Sequence, residues 1–223
     1  MTPDRMPRST VPAVLLMMVL CAVVLFGTAG RVDIVEFWCW IAVLATVSVI
    51  SLLVVDPDLV RERARPGGKP LPPRYWLVAL LFLVHLGVAG LDRGRLHWSD
   101  NVPAWLRAVA LLLFASAWVP FVWAMRVNRF FSSAVRIQRE RGHRVISDGP
   151  YSFVRHPGYA TALVAVLTSG VALGSWLSAV IGWIGIPILL WRTWFEDRML
   201  RAELPGYAEY AARVPSRLLP GVW

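Results

Sequence analysis

The chain has 223 residues, of which 57% are hydrophobic and only 17% charged. A soluble domain of this length carries roughly a quarter charged residues, so the composition excludes an ordinary soluble fold. The net charge is +9, but the arginines cluster beside apolar runs. This pattern indicates membrane topology and argues against a nucleic-acid partner.

Four apolar runs in the first half of the chain predict transmembrane helices. They cover residues 11–30, 34–55, 75–91 and 103–125. Each run approaches the roughly 20 residues that a helix needs to cross a bilayer. Arg5 and Arg8 precede the first run as they would in a signal peptide, but the topology below uses this helix, so we expect it to be retained.

Three polar side chains inside these runs are expected to be structural. Cys21 and Cys39 have no metal-ligand residues near them in the sequence, which favours small buried hydrophobes. His85 lies in the third run and is predicted to be a buried, hydrogen-bonded residue.

Residues 158–191 form a run of 34 residues without a charge. As one helix this run would be about 50 Å long, well beyond the ~30 Å hydrocarbon core. Gly170, Gly174 and Ser175 lie at its middle, so the run predicts a hairpin of two short helices, about 158–173 and 175–195. The predicted fold is therefore an all-α integral membrane protein with about six transmembrane helices.

The distribution of positive charge predicts the orientation of these helices. With six helices and both termini in the cytoplasm, 19 Lys and Arg fall inside, and Arg31, Arg93 and Arg95 fall outside. This bias is a strong positive-inside signal. We expect a multi-pass protein of the plasma or inner membrane.

Two polar segments of 32 residues, 126–157 and 192–223, fall on the predicted cytoplasmic side. Helices that only need connecting use shorter loops, so we expect function in these segments. The chain is accordingly divided into four N-terminal helices (1–125) and a C-terminal region that carries the chemistry (126–223). Residues 61–73, rich in Arg, Pro and Gly, are predicted to be a solvated connection.

The first candidate constellation lies within residues 136–159. Gly149-Pro150 predicts a turn, and Pro157 suits the first turn of a helix. His156 therefore lies beside a helix N-terminus, where free backbone N–H groups favour an anion such as a ligand carboxylate. The alternative is an interfacial loop whose Arg and Tyr side chains anchor to lipid headgroups.

The second candidate constellation is Trp191–Leu200, where the last helix leaves the bilayer. Arg192 and Glu196 are four residues apart and share a helix face. The alternative to a functional role is a surface ion pair, which contributes only ~0.3–0.5 kcal/mol.

Three motifs in order carry a family resemblance. They are Gly149-Pro150-Tyr151-x-x-Val154-Arg155-His156-Pro157-x-Tyr159, Arg192-x-x-x-Glu196-Asp197-x-x-Leu200 and Pro205-Gly206-Tyr207-x-x-Tyr210-x-x-x-Val214-Pro215. The first two flank the predicted hairpin. Over roughly residues 126–220 the chain resembles the isoprenylcysteine carboxyl methyltransferase family.

The resemblance implies a membrane methyltransferase that uses S-adenosylmethionine and needs no metal. Arg192 and Glu196 would be catalytic, Arg192 facing the methyl acceptor and Glu196 the cofactor. Asp197 stands where the family commonly has a second Glu, and the spacer between Gln138 and His143 is shorter than in eukaryotic members. The other cofactor-binding residues implied are Gln138, His143, Arg144, Val145, Ile146, Tyr151, His156, Pro157, Gly158 and Tyr159.

The chemistry of methyl transfer fits these residues. A carboxylate acceptor is already ionised and needs no general base, and Arg192 could hold it through a forked, charge-assisted pair. We expect a lipophilic or lipid acceptor that enters from the bilayer and a cofactor that enters from the cytoplasm. An amine is an alternative acceptor. Two alternative functions also fit the sequence: a membrane NADPH-dependent reductase of the sterol type, which has a similar Arg-His-Pro element, and a non-enzymatic scaffold.

Overall fold

The computed structural model describes residues 9–69 and 74–223, and these residues form helices and loops without a β-strand. A π-helical turn, Asp92–Leu96, extends the fourth helix. The helices are α1 (Thr10–Ala29), α2 (Val35–Val54), α3 (Pro57–Ala64), α4 (Arg74–Leu91), α5 (Ala104–Val127), α6 (Pro157–Ala172), α7 (Trp176–Trp183), α8 (Gly185–Glu203) and α9 (Tyr207–Arg213).

The predicted all-α integral membrane fold is confirmed. Among the described residues, five segments are long and apolar enough to cross a membrane: Thr10–Ala29, Val35–Val54, Tyr75–Leu96, Ala104–Val127 and Trp176–Glu203. The sixth apolar helix, α6, has 16 residues and a length of about 24 Å, which is short for a ~30 Å core. The protein is therefore a multi-pass membrane protein.

The predicted hairpin of α6 and α7 is present, and glycines allow its tight turn. Gly174 has a φ of 79°, a left-handed conformation that glycine adopts at little cost. The Ser175 hydroxyl then accepts a hydrogen bond from the Ser178 N–H (3.0 Å) and caps α7. The two helices touch at Gly170, where a Cβ atom would lie 2.2 Å from the Ala179 nitrogen.

The predicted extent of the second hairpin helix is wrong. It does not end near residue 195, because α7 and α8 together run from Trp176 to Glu203. The two helices meet at Ile184. Pro187 lies just beyond this break, and a proline lacks an N–H and displaces the carbonyl four residues before it. Arg192 and Glu196, which were predicted to share a helix face, therefore lie within α8, which continues to Glu203.

The core of the bundle packs α5 along α6 and α1 along α4. The Trp40 ring stacks on Phe114 with centroids 5.4 Å apart. His85 is buried, as predicted, with Nε2 2.9 Å from the Ser169 hydroxyl and Nδ1 2.8 Å from the Ser178 carbonyl. Cys21 is buried, Cys39 is half-buried, and both are free thiols.

Polar groups gather at the two ends of the bundle. At one end, Arg107 pairs with Glu36, and the Arg95 guanidinium donates to the Thr28 carbonyl (2.8 Å). At the opposite end lie α3, residues 126–157, the C-terminal part of α8, and α9. The two long polar segments predicted from the sequence therefore meet at one end, where Arg155 contacts Asp197.

The prediction that residues 61–73 form a solvated connection is wrong for its first part. Residues 57–64 are the helix α3, whose N-terminus is capped by the Asp56 carboxylate (2.7 Å from the Asp58 N–H). Leu59 and Glu62 are buried, and Arg136 donates to both Glu62 oxygens (3.0 and 2.9 Å). Burial opposes ionisation of Glu62, but hydrogen bonds from Arg136, Gly67 and Ser132 hold its pKa below the usual value. Residues 70–73 lie outside the described residues.

Candidate active site

A cavity of about 780 Å³ runs from the polar end of the bundle into its interior. This volume is within the range of roughly 300–1,000 Å³ that is typical of small-molecule sites. The inner part, here called the apolar channel, is lined by side chains of α2, α4 and α5: Trp40, Leu44, Phe82, Phe114 and Trp118. The outer part, here called the polar chamber, is lined by residues 143–146, 151 and 156–159 and by Arg192, Glu196 and Tyr207.

The polar chamber brings together nearly all the side chains that the motifs single out. His143, Arg144, Val145, Ile146, Tyr151, His156, Pro157, Gly158, Tyr159, Arg192 and Glu196 all line the cavity. Gln138 is buried behind it, where its amide donates to the Phe130 carbonyl (2.7 Å) and accepts from Arg141. The Gln138 side chain thus holds the loop together.

Arg192 and Glu196 are joined through a tyrosine. The Arg192 Nε donates to the Tyr159 hydroxyl (2.7 Å), which donates to the Glu196 carboxylate (2.6 Å). Arg192 also donates to the Ser133 carbonyl and lies over the Tyr75 ring, 5.1 Å from its centroid. These contacts fix the guanidinium and the carboxylate side by side on the cavity wall, which differs from a solvated surface ion pair.

Asp197 follows Glu196 on α8 and is buried behind the polar chamber, where several side chains donate hydrogen bonds to it. Its carboxylate is 1% exposed and accepts from Arg155 (2.7 Å), Arg217 (3.0 Å) and Arg201 (3.2 Å). The Tyr207 hydroxyl donates to the same carboxylate (3.0 Å). Arg155 and Asp197 each belong to a motif, but their pairing was not predicted because the two residues are 42 positions apart.

The C-terminal tail pairs with the segment that precedes α6. The Arg155 and His156 N–H groups donate to the carbonyls of Ser216 and Arg217 (both 3.0 Å). The Arg155 guanidinium donates to the Val214 and Pro215 carbonyls (2.7 and 2.6 Å). The tail therefore fixes the backbone that presents His156 to the cavity.

Gly158, at the start of α6, lies so close to the Phe131 ring that a residue with a side chain would not fit. A Cβ atom at this position would lie 2.3 Å from the Phe131 ring. Because Phe131 also lines the cavity, a side chain here would push that ring into the cavity or break its packing.

The electrostatics of the loop keep two ring side chains neutral. Burial and the neighbouring guanidinium groups of Arg136 and Arg141 lower the pKa of His143 to about 4. Its Nδ1 therefore accepts a hydrogen bond from the Gln138 N–H (3.2 Å). Burial raises the pKa of Tyr151, whose hydroxyl accepts from Asn128 (2.9 Å), so the phenol stays protonated.

Comparison with known proteins matches this region to one family. Residues 108–202 match the Isoprenylcysteine carboxyl methyltransferase (ICMT) family. The matched segment, here called the ICMT region, covers less than half of the chain. The ICMT region starts in α5 and ends on α8, so it contains Tyr159, Arg192, Glu196 and the Arg155–Asp197 pair. The apolar channel is completed by α2 and α4, which lie before the matched region.

Similar proteins include enzymes that carry the ICMT name. The chain is 32% identical over 95 residues to protein-S-isoprenylcysteine O-methyltransferase B of Arabidopsis thaliana, covering 40% of this chain and 46% of the relative. It is 27% identical over 99 residues to protein-S-isoprenylcysteine O-methyltransferase of Schizosaccharomyces pombe, covering 41% and 40%. The chain thus spans less than half the length of these two relatives.

A longer match is to a protein with a different name. The chain is 28% identical over 145 residues to the cobalt-zinc-cadmium resistance protein CzcN of Cupriavidus metallidurans, covering 63% of this chain and 60% of the relative. Within residues 9–69 and 74–223, no three His, Cys, Asp or Glu side chains come together as metal ligands.

Proposed function

We propose that this protein is an S-adenosylmethionine-dependent methyltransferase that O-methylates a carboxylate on a lipophilic substrate. The observation that carries the proposal is one cavity that joins the Arg192–Tyr159–Glu196 chain of hydrogen bonds to an apolar channel inside a membrane bundle. The ICMT family match supports methyl transfer as the reaction.

The polar chamber suits the cofactor chemically. S-adenosylmethionine supplies an electrophilic methyl group on a sulfonium cation. A cation of this kind is stabilised by carboxylates and aromatic faces, and Glu196 and Tyr159 both face the chamber. His143–Ile146, Tyr151 and His156–Tyr159 form the rest of the wall that would hold it.

Arg192 suits the acceptor. A carboxylate is ionised at neutral pH, so the protein needs to position it rather than deprotonate it. The Tyr159 hydroxyl and the Ser133 carbonyl fix the orientation of the Arg192 guanidinium, which can then pair with a carboxylate in a fixed geometry. Positioning two reactants in this way is the main contribution that the enzyme makes.

The positive charge pattern supports a cytoplasmic location for both termini and for the polar chamber. In this orientation the cofactor enters from the cytoplasm of a plasma or inner membrane. The acceptor enters from the bilayer, between the helices that line the apolar channel.

Calorimetric titration of the detergent-purified protein with S-adenosylhomocysteine tests the proposal. We expect saturable binding. In a parallel titration with S-adenosylmethionine, which unlike S-adenosylhomocysteine carries the sulfonium cation, Glu196→Gln should weaken binding at least tenfold. Glu203→Gln, an exposed carboxylate on the same helix, is the matched control and should leave the affinity unchanged. Stabilisation by NADP alone would indicate a reductase instead, and the absence of binding by either cofactor would indicate a scaffold.

The acceptor is identified by a separate experiment. We expect radiolabelled S-adenosylmethionine to transfer its methyl group to a component of a membrane lipid extract. The labelled product should release volatile methanol in base, because a methyl ester hydrolyses and a methylated amine does not. Base-stable label would contradict a carboxylate acceptor.

A further inference from the structure

A second guanidinium group faces the cavity beside Arg192, and the family motifs do not include it. Arg63 lies on α3, before the region that matches the ICMT family, and lines the cavity. Its guanidinium lies over the Phe131 ring (5.1 Å from the centroid) and against Phe121 (5.9 Å). Phe121 in turn packs edge-on against Trp118 of the apolar channel. Arg63 therefore stands where the apolar channel meets the polar chamber.

The backbone around Arg63 is held rigidly. The Ser133 hydroxyl donates to the Arg63 carbonyl (2.6 Å), and the neighbouring Glu62 is paired with Arg136. One turn earlier, Asp58 pairs with Arg141 (2.5 Å). A short helix that only linked two spans would not need three polar contacts to the opposite loop. These contacts place Arg63 in a fixed position on the cavity wall.

Among the described residues, no carboxylate pairs with the charge of Arg63. Arg192 is compensated by Glu196 through the Tyr159 hydroxyl, whereas no carboxylate among residues 9–69 and 74–223 forms a salt bridge with Arg63. Within the part of the chain that the structure describes, the Arg63 side chain donates to the Phe131 carbonyl (3.2 Å). Burial and the nearby Arg192 charge lower the pKa of Arg63 to about 10, so it remains a cation at neutral pH. A half-buried cation without a partner is costly unless a ligand supplies the opposite charge.

We propose that Arg63 and Arg192 together hold the anionic headgroup of the methyl acceptor, with its apolar tail in the channel. This inference rests on the proposed methyltransferase function and narrows its substrate class. Two guanidinium groups at the junction attract a carboxylate and repel an ammonium group, so the site selects against acceptors whose amine is protonated at neutral pH. Arg63 is then the residue that sets the charge specificity of the acceptor site.

The test compares three probes that share one tail and differ in the headgroup: S-farnesylthiopropionate, its primary carboxamide, and S-farnesylcysteamine. Binding is measured in detergent by tryptophan fluorescence, with and without saturating S-adenosylhomocysteine. We expect the wild-type protein to bind the carboxylate at least tenfold more tightly than the other two probes. Arg63→Gln should weaken carboxylate binding by roughly ten- to a hundredfold and leave carboxamide binding unchanged.

Matched variants separate the headgroup contact from a structural effect. Arg63→Lys keeps the charge without the forked donors and should recover part of the affinity for the carboxylate. Arg65→Gln removes an exposed arginine from the end of the same helix and should change nothing. S-adenosylhomocysteine should bind Arg63→Gln and wild type equally, which also shows that the variant is folded.

Three results would overturn the inference. One is equal binding of the carboxylate and the carboxamide by the wild type, and another is an Arg63→Gln protein with unchanged preference. The third is loss of S-adenosylhomocysteine binding in Arg63→Gln while Arg63→Lys retains it, which would assign Arg63 to the cofactor. Failure of the proposed function is distinguishable, because a wild type that binds no S-adenosylhomocysteine can still be tested with the three probes alone.

Discussion

At the scale of single residues, Asp197 links three separate parts of the chain. Arg155 precedes α6, Arg201 lies on α8, and Arg217 lies in the tail, yet all three donate to this one carboxylate. Arg155 is as deeply buried as Asp197 itself. Removing the Asp197 charge leaves the buried Arg155 charge uncompensated, which costs far more than the net contribution of the pair.

We predict that Asp197→Asn destabilises the protein by roughly 3–5 kcal/mol, because Arg155 loses its charged partner. The measurement is unfolding in detergent, followed by circular dichroism. Glu209→Gln removes an exposed carboxylate of the tail and serves as the control. A midpoint of Asp197→Asn that equals the wild-type midpoint would mean that the arginines find other partners.

The lowered pKa of a second residue, His143, predicts that the stability of the fold depends on pH. The pKa of His143 is about 4 in the folded protein, below the value of about 6.5 in an unfolded chain. The unfolded state therefore binds more protons between these two values, so protonation favours unfolding. The contribution of His143 is complete above pH 6.5 and is lost as the pH falls towards 4.

We expect the unfolding free energy to fall by up to about 3 kcal/mol from this group between pH 7 and pH 4. His143→Gln keeps an acceptor for the Gln138 N–H but does not titrate, so it should flatten the pH profile across this window. His97, exposed at the opposite end of the bundle, gives the control His97→Gln, which should leave the profile unchanged. An unaltered slope in His143→Gln would refute the assignment.

At the scale of helices, the α6–α7 hairpin depends on the direct contact of two backbones. The absence of a side chain at Gly170 lets α6 approach α7 until its Cα lies against the Ala179 backbone. Small residues are the usual means by which membrane helices approach closely, since lipid offers no hydrophobic driving force between them.

We predict that Gly170→Ala destabilises the protein by about 1–3 kcal/mol, because a Cβ 2.2 Å from the Ala179 nitrogen forces the hairpin apart. Gly27→Ala makes the same chemical change in α1 at a position with no heavy atom within 4 Å of the new Cβ. This control should be neutral or slightly stabilising, since alanine favours a helix. Equal effects of the two substitutions on thermal unfolding would remove the argument for close contact.

The helices of this protein differ in how far the sequence alone can predict them. The spanning helices are predictable because the thickness of a bilayer and the placement of arginines are local signals. α3 was not predicted, although Asp56-Pro57 is a recognisable N-cap followed by proline at the first helical position. The role of α3 could not be predicted from the sequence, because the Glu62–Arg136 pair joins residues 74 positions apart.

The candidate site, too, is predictable from the sequence only where its residues belong to local motifs. Tyr159, Arg192 and Glu196 belong to motifs with fixed spacing, and all three line the cavity. The family resemblance implies a cofactor-binding role for Gln138 too, but its amide hydrogen-bonds to Phe130 and Arg141, which only the folded loop reveals. Arg63 carries no local signal, because its place beside Arg192 follows from the way α3 docks on the loop.

At the scale of the whole molecule, the cavity requires that both polar segments lie on one side of the membrane. Arg139 of the first segment and Glu203 at the end of α8 approach to 3.8 Å. Asn101 lies in the loop before α5, at the opposite end of the bundle, and is exposed. From the positive charge pattern, we propose that the end with Arg139 and Glu203 faces the cytoplasm.

Cysteine labelling in whole bacterial cells that express the protein tests this arrangement. Cys21 and Cys39 are first replaced by alanine, and single cysteines are placed at the exposed positions 101, 139 and 209. A membrane-impermeant maleimide should label position 101 in intact cells and positions 139 and 209 only after permeabilisation. Labelling of 139 and 209 from opposite sides would separate the loop from the tail and abolish the cavity. Labelling of both in intact cells would invert the orientation, and the cofactor would then have to arrive from outside the cell, where the proposed reaction has no supply of it.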